Sequence, residues 1–163
     1  MFDFVKPRQT IIVTSRGETT LLGKEVKKDN LFTLTWHMPL SVEPFLYGIA
    51  VSRERFSYKL IKNSKVFCVN FMAHQYKDAV LYAGSKTGMT HDKFPKSGLT
   101  KIEAESIDCC KLREASAWLE CEVIDEIDTG DHVIFVGKVL KYKEVDDKKR
   151  LFYLGGGRFT STI

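Results

Sequence analysis

Apolar residues in this chain recur mainly in short runs and at every second position, the spacing of strands. Few stretches carry the three-to-four spacing of a helix. The longest organised stretch is Asn30–Tyr58. Leu31–Trp36 mixes aromatic residues with threonine and reads as a strand, broken after Met38 because Pro39 brings no ladder N–H. Phe45–Val51 is almost continuously apolar and reads as a strand buried on both faces. Upstream, Ile11-Ile12-Val13 predicts a strand ending in a turn at Arg16-Gly17-Glu18. Thr19–Gly23 would be its returning partner, and Lys24–Asn30 a polar loop. Downstream, the segment from Lys59 predicts a short helix closed at Asn63-Ser64, followed by a buried strand at Val66–Phe71.

His74–Gly84 has helical spacing and is broken by the Gly84–Gly88 segment. Asp92–Pro95 starts another short turn of helix, which Gly98 ends. From Ala115 the alternation returns, in strands at Ala115–Ile127 and His132–Tyr142 joined by a hairpin at Asp128–Asp131. Leu151–Leu154 makes a last strand. With no repeat and no linker, the pattern predicts one domain over residues 1–163, mostly β, with a few short helices closing the ends of a barrel.

Composition adds little to this picture. The 163 residues are 44% hydrophobic and 28% charged, enough chain for a real core. No apolar run reaches the ~18–20 residues of a membrane span, and MFDFVKPRQT lacks the apolar segment of a secretory signal, so a cytoplasmic protein is expected. A net charge of +4 spread over scattered lysines forms no stripe for a nucleic-acid backbone and suits a small anionic ligand better. Cys68, Cys109, Cys110 and Cys121 show no metal or redox spacing and read as reduced structural thiols. The four histidines share no ligand spacing either, so no metal site is expected.

Three features carry candidate chemistry. Ser52-Arg53-Glu54-Arg55-Phe56-Ser57-Tyr58 gathers hydroxyls and two guanidinium groups where a buried strand emerges. This suits a phosphate, and it suits a solvated strand end equally. Gly155-Gly156-Gly157 is not expected to be a phosphate loop, because only six residues follow it, too few for a helix of useful length. It reads as a turn that places Arg158 and Phe159. Gly130-Asp131-His132 either leaves its imidazole in water or presents His132 as a hydrogen-bond donor at a pocket mouth. No Gly-x-Ser-x-Gly or Cys–His–Asn signature supports hydrolysis.

Taken in order, a set of motifs resembles the flavin reductase-like family of FMN-binding split barrels, including its flavoredoxin branch. They are N-L-F-T-L-T-W at Asn30–Trp36, S-x-x-P-F-L at Ser41–Leu46, V-S-R-x-R-x-S-Y at Val51–Tyr58 and V-N at Val69-Asn70. Next come S-K-T-G-x-x-x-D-K-F at Ser85–Phe94, L-E-C-x-V at Leu119–Val123, G-D-H-x-x-F-V-G-K-V at Gly130–Val139 and a G-G-G-R-F tail. The resemblance covers about Pro7 to Phe159.

It implies a homodimeric, six-stranded antiparallel Greek-key split barrel with FMN in a groove near the dimer interface. By analogy Thr33, Leu34, Thr35 and Trp36 would line the isoalloxazine. Ser52, Arg53, Arg55, Ser57 and Tyr58 would take the ribityl chain and phosphate, and Lys93 and Phe94 would close the other side. His132 and Phe159 would lie beside the nicotinamide of NADH or NADPH. Trp36 and Phe159 depart from the smaller residue and the tyrosine of many relatives. The resemblance implies an NAD(P)H:FMN oxidoreductase passing electrons to a further acceptor. A flavoredoxin-like carrier reduced by a redox partner protein is the alternative.

Overall fold

Two glycines and a proline decide how the first half of the chain is laid out. The computed structural model describes residues 3–163. After a 3₁₀ turn at Asp3–Val5 come β1 (Arg8–Gln9), β2 (Ile11–Leu21), β3 (Lys24–Leu34), β4 (His37–Ser41) and β5 (Leu46–Ser52). Next are α1 (Phe56–Ser64), β6 (Val66–Phe71), a 3₁₀ turn at His74–Tyr76, α2 (Lys77–Ser85) and α3 (Phe94–Ser97). The chain ends with β7 (Lys101–Glu103), β8 (Cys110–Leu112), β9 (Ala117–Thr129), β10 (His132–Glu144), β11 (Leu151–Gly155) and β12 (Arg158–Ser161).

The residues expected to form a loop at Lys24–Asn30 are strand. β2 and β3 pair without interruption from Ile11 opposite Leu34 to Leu21 opposite Lys24. The turn sits at Leu22 and Gly23, both with positive φ, which suits a tight hairpin of the primed type. Gly17 therefore makes no turn. It lies inside β2 because α1 crosses there, and a Cβ would stand 3.1 Å from the carbonyl oxygen of Leu60. The break expected at Pro39 is also absent: β4 pairs with β5, and an edge strand tolerates a missing N–H.

The main sheet is antiparallel in the order β3-β2-β6-β9-β10-β5-β4, so it holds seven strands where six were expected. β4 supplies the additional edge. β3 and β4 lie at opposite ends and do not join, leaving the barrel open. The concave side encloses Ile11, Val13, Ile49, Phe67, Val69 and Phe135. A second cluster, with Leu31, Val80, Phe94, Leu112 and Leu151, fills the space between the other face and α2, α3 and the small sheets. The triple glycine turns β11 into β12 with positive φ at all three positions, which is why three glycines stand there.

The four cysteines are free and buried. Burial raises the Cys121 thiol, and neighbouring thiols with burial raise Cys110. A buried ion pair closes the far end of the sheet. Glu120 accepts the backbone N–H groups of Glu105 and Ser106 (2.7 Å to Ser106) and the Lys111 ammonium at 2.8 Å. Lys111 also stands 3.3 Å from the centre of the Trp118 ring. Removing one partner strands a buried charge. Glu120→Ala is expected to lower the unfolding free energy by about 3–5 kcal/mol in a urea titration. A loss below about 1 kcal/mol would show that the pair is dispensable.

Candidate functional site

β3 is the outer strand of the sheet, so one of its edges has no strand partner. That edge faces α2. Thr33 Oγ1 donates to the carbonyl of Val80 at 2.6 Å. A Cβ on Gly84 would lie 3.3 Å from the Thr33 Cβ, so the helix end packs close to the strand. Between them opens a cavity of about 520 Å³, within the usual size range of cofactor sites.

The strand supplies Phe32, Thr33 and Leu34, and the chain beyond it Thr35 and Trp36. β5 and the loop after it bring Ala50, Val51, Ser52, Glu54 and Arg55. α1 contributes Phe56 and Ser57, and the α2 side contributes Ala83, Gly84, Lys86, Thr87 and Gly88. Lys93 and His132 complete the lining.

One end is cationic. Arg55 is the N-cap of α1, extended and without a side-chain cap bond. Tyr58 N–H donates to the Arg55 carbonyl (3.1 Å), so the N–H groups of Phe56 and Ser57 are the ones left to an anion, reinforced by the helix dipole. Lys28 donates to the Gly88 carbonyl and lies beside the Phe56 ring. Lys93 is buried, and its ammonium donates to the carbonyls of Ala83 (2.9 Å) and Lys86 (3.1 Å). Burial, then the positive charges of Arg55 and Lys28, bring its pKa down to about 8. Glu54 is the one carboxylate in the lining. Lys28, Arg55 and Lys93 thus converge with little to neutralise them, which is the electrostatics of a phosphate site.

Two aromatic rings also meet in the lining. The rings of Trp36 and His132 lie 4.7 Å apart and are tilted by 34°. His132 Nδ1 stands 2.7 Å from the Asp131 carboxylate, which fixes the ring orientation. β10 places His132 opposite Ser52 of β5, so the hairpin expected from Gly130-Asp131 delivers the imidazole to the cavity.

The structure thus brings Thr33, Leu34, Thr35, Trp36, Ser52, Arg55, Ser57, Lys93 and His132 to one cavity. It sets four other expected contact residues away from the lining. Arg53 turns outward to the Gly130 carbonyl (2.5 Å) and the Asp128 carboxylate, clamping the β5 loop to the β9–β10 turn. Tyr58 packs on Phe135, ring centres 5.6 Å apart, and its hydroxyl accepts from Lys62. Phe94 is buried in the second core cluster under α3. Phe159 packs on Tyr153 at 5.4 Å and against the same cluster.

Sequence reasoning took Gly84–Gly88 as a helix breaker and left Lys28 and Asn30 without a role. The signal for them lay in S-K-T-G. Any side chain at Gly88 would collide with the Asn30 side-chain oxygen Oδ1, and Asn30 Nδ2 donates in turn to Ser57 Oγ at 3.0 Å. The loop, β3 and the start of α1 are thereby fastened together around the cationic end.

An FMN-sized ligand fits this arrangement: an uncapped helix start with cations for a phosphate, and an unpaired strand edge for the polar rim of a flat ring. Comparison with known proteins points the same way. An uncharacterized protein from Archaeoglobus fulgidus is 33% identical over 140 residues, covering 86% of this chain and 74% of that protein. Two further relatives, at 36% and 31% identity, are covered over only 64% and 43% of their length.

Among solved structures, an FMN-binding protein from Thermus thermophilus superposes with a TM-score of 0.85 at 26% identity. The match covers 99% of this chain and 89% of that one. The flavoredoxin of Desulfovibrio vulgaris shares the fold, with a TM-score of 0.83 at 18% identity over 97% of this chain and 88% of its own. The sequence model of the flavin reductase like domain matches residues 6–162. The chain belongs to the flavin reductase like domain family.

Proposed function

We propose that this protein binds FMN in the 520 Å³ cavity and is an NAD(P)H:FMN oxidoreductase that passes electrons to a further acceptor. The observation that carries the reading is the polarity of the cavity. A converging set of cations at the start of α1 suits the FMN phosphate. The Trp36–His132 end, beside the free edge of β3, suits the ring and its hydride donor.

Bound FMN would supply the redox chemistry, accepting hydride at its N5 and releasing electrons onward. The chain's own residues bind and orient. Arg55 and the N–H groups of Phe56 and Ser57 would hold the phosphate, while Ser52 and Ser57 would offer hydroxyls to the ribityl chain. Backbone N–H groups near Thr33–Thr35 answer charge at the ring's polar edge. His132, oriented by Asp131, donates or accepts one hydrogen bond at the donor side.

A second reading rests on Trp36. Its indole lies against His132 and occupies part of the side a nicotinamide would approach, while Phe159 sits elsewhere. A flavoredoxin-like carrier reduced by a partner protein needs no such approach. Anaerobic titration of the FMN-loaded protein with NADH and NADPH separates the readings. Bleaching of the flavin's long-wavelength band by either donor is expected. Persistent yellow colour that only dithionite removes would favour the carrier.

The same proposal includes a cytoplasmic homodimer. No described helix is long and apolar enough to cross a membrane. At the sheet's edge β4 and the turn after it expose Met38, Leu40 and Val42, apolar side chains that a second copy would cover. Light scattering should give twice the 18.6 kDa chain mass.

FMN affinity tests the cationic end. Arg55→Ala should weaken FMN binding about 10–100-fold, the worth of a charge-assisted phosphate contact, whereas Arg53→Ala should leave it within about threefold. Equal losses in both variants would remove the distinction. Lys93 gives the pH dependence. In the ligand-free fold its pKa lies near 8, below the ordinary 10.5, and an anion favours its charged form. Affinity should therefore hold below pH 8 and fall as the pH rises above it. Lys93→Met should flatten that slope in a fluorescence titration.

A further inference from the structure

We infer that a second anion site lies beside the FMN cavity, around Arg8, and that it takes the diphosphate of a dinucleotide hydride donor. This rests on the reductase reading above.

The wall formed by Thr35 and Trp36 has two sides. On one is the FMN cavity. On the other is a crevice of about 400 Å³ lined by Asp3, Lys6, Arg8, Tyr153 and Gly156, with Thr35 and Trp36 shared between the two. Arg8 and Trp36 also border a cleft of about 290 Å³ that runs over Gly48 and Ile134. Arg158 joins Lys6 and Gly156 at the outer end, in a further hollow of about 470 Å³. The FMN cavity, the crevice and the cleft meet at Trp36, and the outer hollow joins the crevice at Asp3, Lys6 and Gly156.

Arg8 is the feature that asks for a ligand. It is half-buried on β1, and its Nε is shielded from solvent without a hydrogen-bond partner. A guanidinium N–H left in that condition costs stability, and one such group at a crevice wall fits an acceptor that arrives from outside. Its charge is felt nearby. Burial first, and the Arg8 cation after it, hold His37 below the usual histidine range. Lys6 is half-buried next to it, 5.6 Å from the centre of the Tyr153 ring and 2.6 Å from the Asp3 carboxylate. Asp3 is the one acid in the crevice lining, against the two cations Lys6 and Arg8 there and Arg158 beyond.

The location selects the ligand class. The FMN phosphate would have its own cations, Arg55 at the start of α1 with Lys28 and Lys93. A donor whose nicotinamide reaches the Trp36–His132 end must run its remaining atoms outward past Trp36. The crevice that holds the unpartnered Arg8 Nε begins there. Arginine's fork matches phosphate oxygens in pairs, so Arg8 suits a diphosphate better than an ammonium would.

ADP-ribose, which carries the diphosphate but no nicotinamide, separates this site from hydride transfer. Calorimetric titration of ADP-ribose into the FMN-loaded protein should show binding that Arg8→Ala weakens about tenfold or more. Arg8→Lys should recover part of it. Nicotinamide riboside, which lacks phosphate, should bind alike to the wild type and Arg8→Ala. FMN content, read by absorbance, should not change.

Equal ADP-ribose affinity in wild type and Arg8→Ala overturns the site. So does absence of ADP-ribose binding when NADH or NADPH bleaches the flavin, and the reductase reading then stands alone. Arg8-dependent binding without bleaching by either donor sinks the reductase reading and with it the assignment to a hydride donor, and leaves only an anion site at Arg8. A crevice that takes the acidic face of a redox partner protein instead would show no ADP-ribose binding, which counts against the proposal. Should Arg8→Ala fail to fold, Lys6→Ala combined with Arg158→Ala must produce the same selective loss.

Discussion

A lysine ammonium buried with backbone carbonyls for partners is the constraint around which the site is built. Lys93 reaches from the residue before α3 to the end of α2 and satisfies the carbonyls of Ala83 and Lys86. Those are among the acceptors a helix leaves open at its C-terminus, and a cation there also meets the negative end of the dipole. The arrangement fixes where α2 ends and sends the chain through Thr87 and Gly88 beneath Asn30. Its cost is a cation held near Lys28 and Arg55 in a poorly hydrated place, which the lowered pKa reflects. An anionic ligand removes that cost. The second wall of the cavity is thus held by a group that the ligand-free protein keeps under electrostatic tension.

The first wall obeys a different rule. β3 can offer its free edge because it ends the sheet, and it ends the sheet because β2 and β3 form one uninterrupted hairpin. Gly17 lets α1 cross β2 at close range, so the helix that begins at Arg55 starts immediately after β5 and points its N-terminus into the cavity. Strand edge and helix start are two kinds of unsatisfied backbone, beside a helix end that Lys93 completes. The fold brings them to one concave place, where polar groups of a ligand can complete the first two.

Much of this was legible in the residues, and the failures have physical causes. Buried strands such as Val66–Phe71 and the β9–β10 hairpin were readable, because alternation and a Thr-Gly-Asp turn are local signals. Lys24–Asn30 was misread because an edge strand carries polar residues on an exposed face, which looks like a loop from sequence. Gly17 was misread because a glycine required by a crossing helix and a glycine required by a turn are identical letters. For the site, motif order brought out the residues that meet at the cavity. It could not distinguish Arg53 from Arg55, two positions apart at a strand end. One turns out to the Asp128 carboxylate, and the other stands at the N-cap position of α1 with no cap bond from its side chain. Arg8 and Lys28 carried no motif, since their significance lies in partners far along the chain.

Trp36 joins the two halves of the functional argument. It stands at the end of the β3 wall, against His132, with recesses on both sides. A large rigid ring at such a junction restricts which flat molecule can approach the cavity and from which direction. Were the site made for a protein partner alone, a tryptophan covering His132 would protect the flavin, and nothing would call for cations behind it. Arg8, with a solvent-shielded and unpaired Nε on the far side of that same ring, has no use in that scheme. It acquires one when a phosphate-bearing donor passes over Trp36. The pairing of an obstructing indole with an unsatisfied guanidinium therefore favours a small anionic reductant, admitted in one orientation, over electrons delivered across a protein surface.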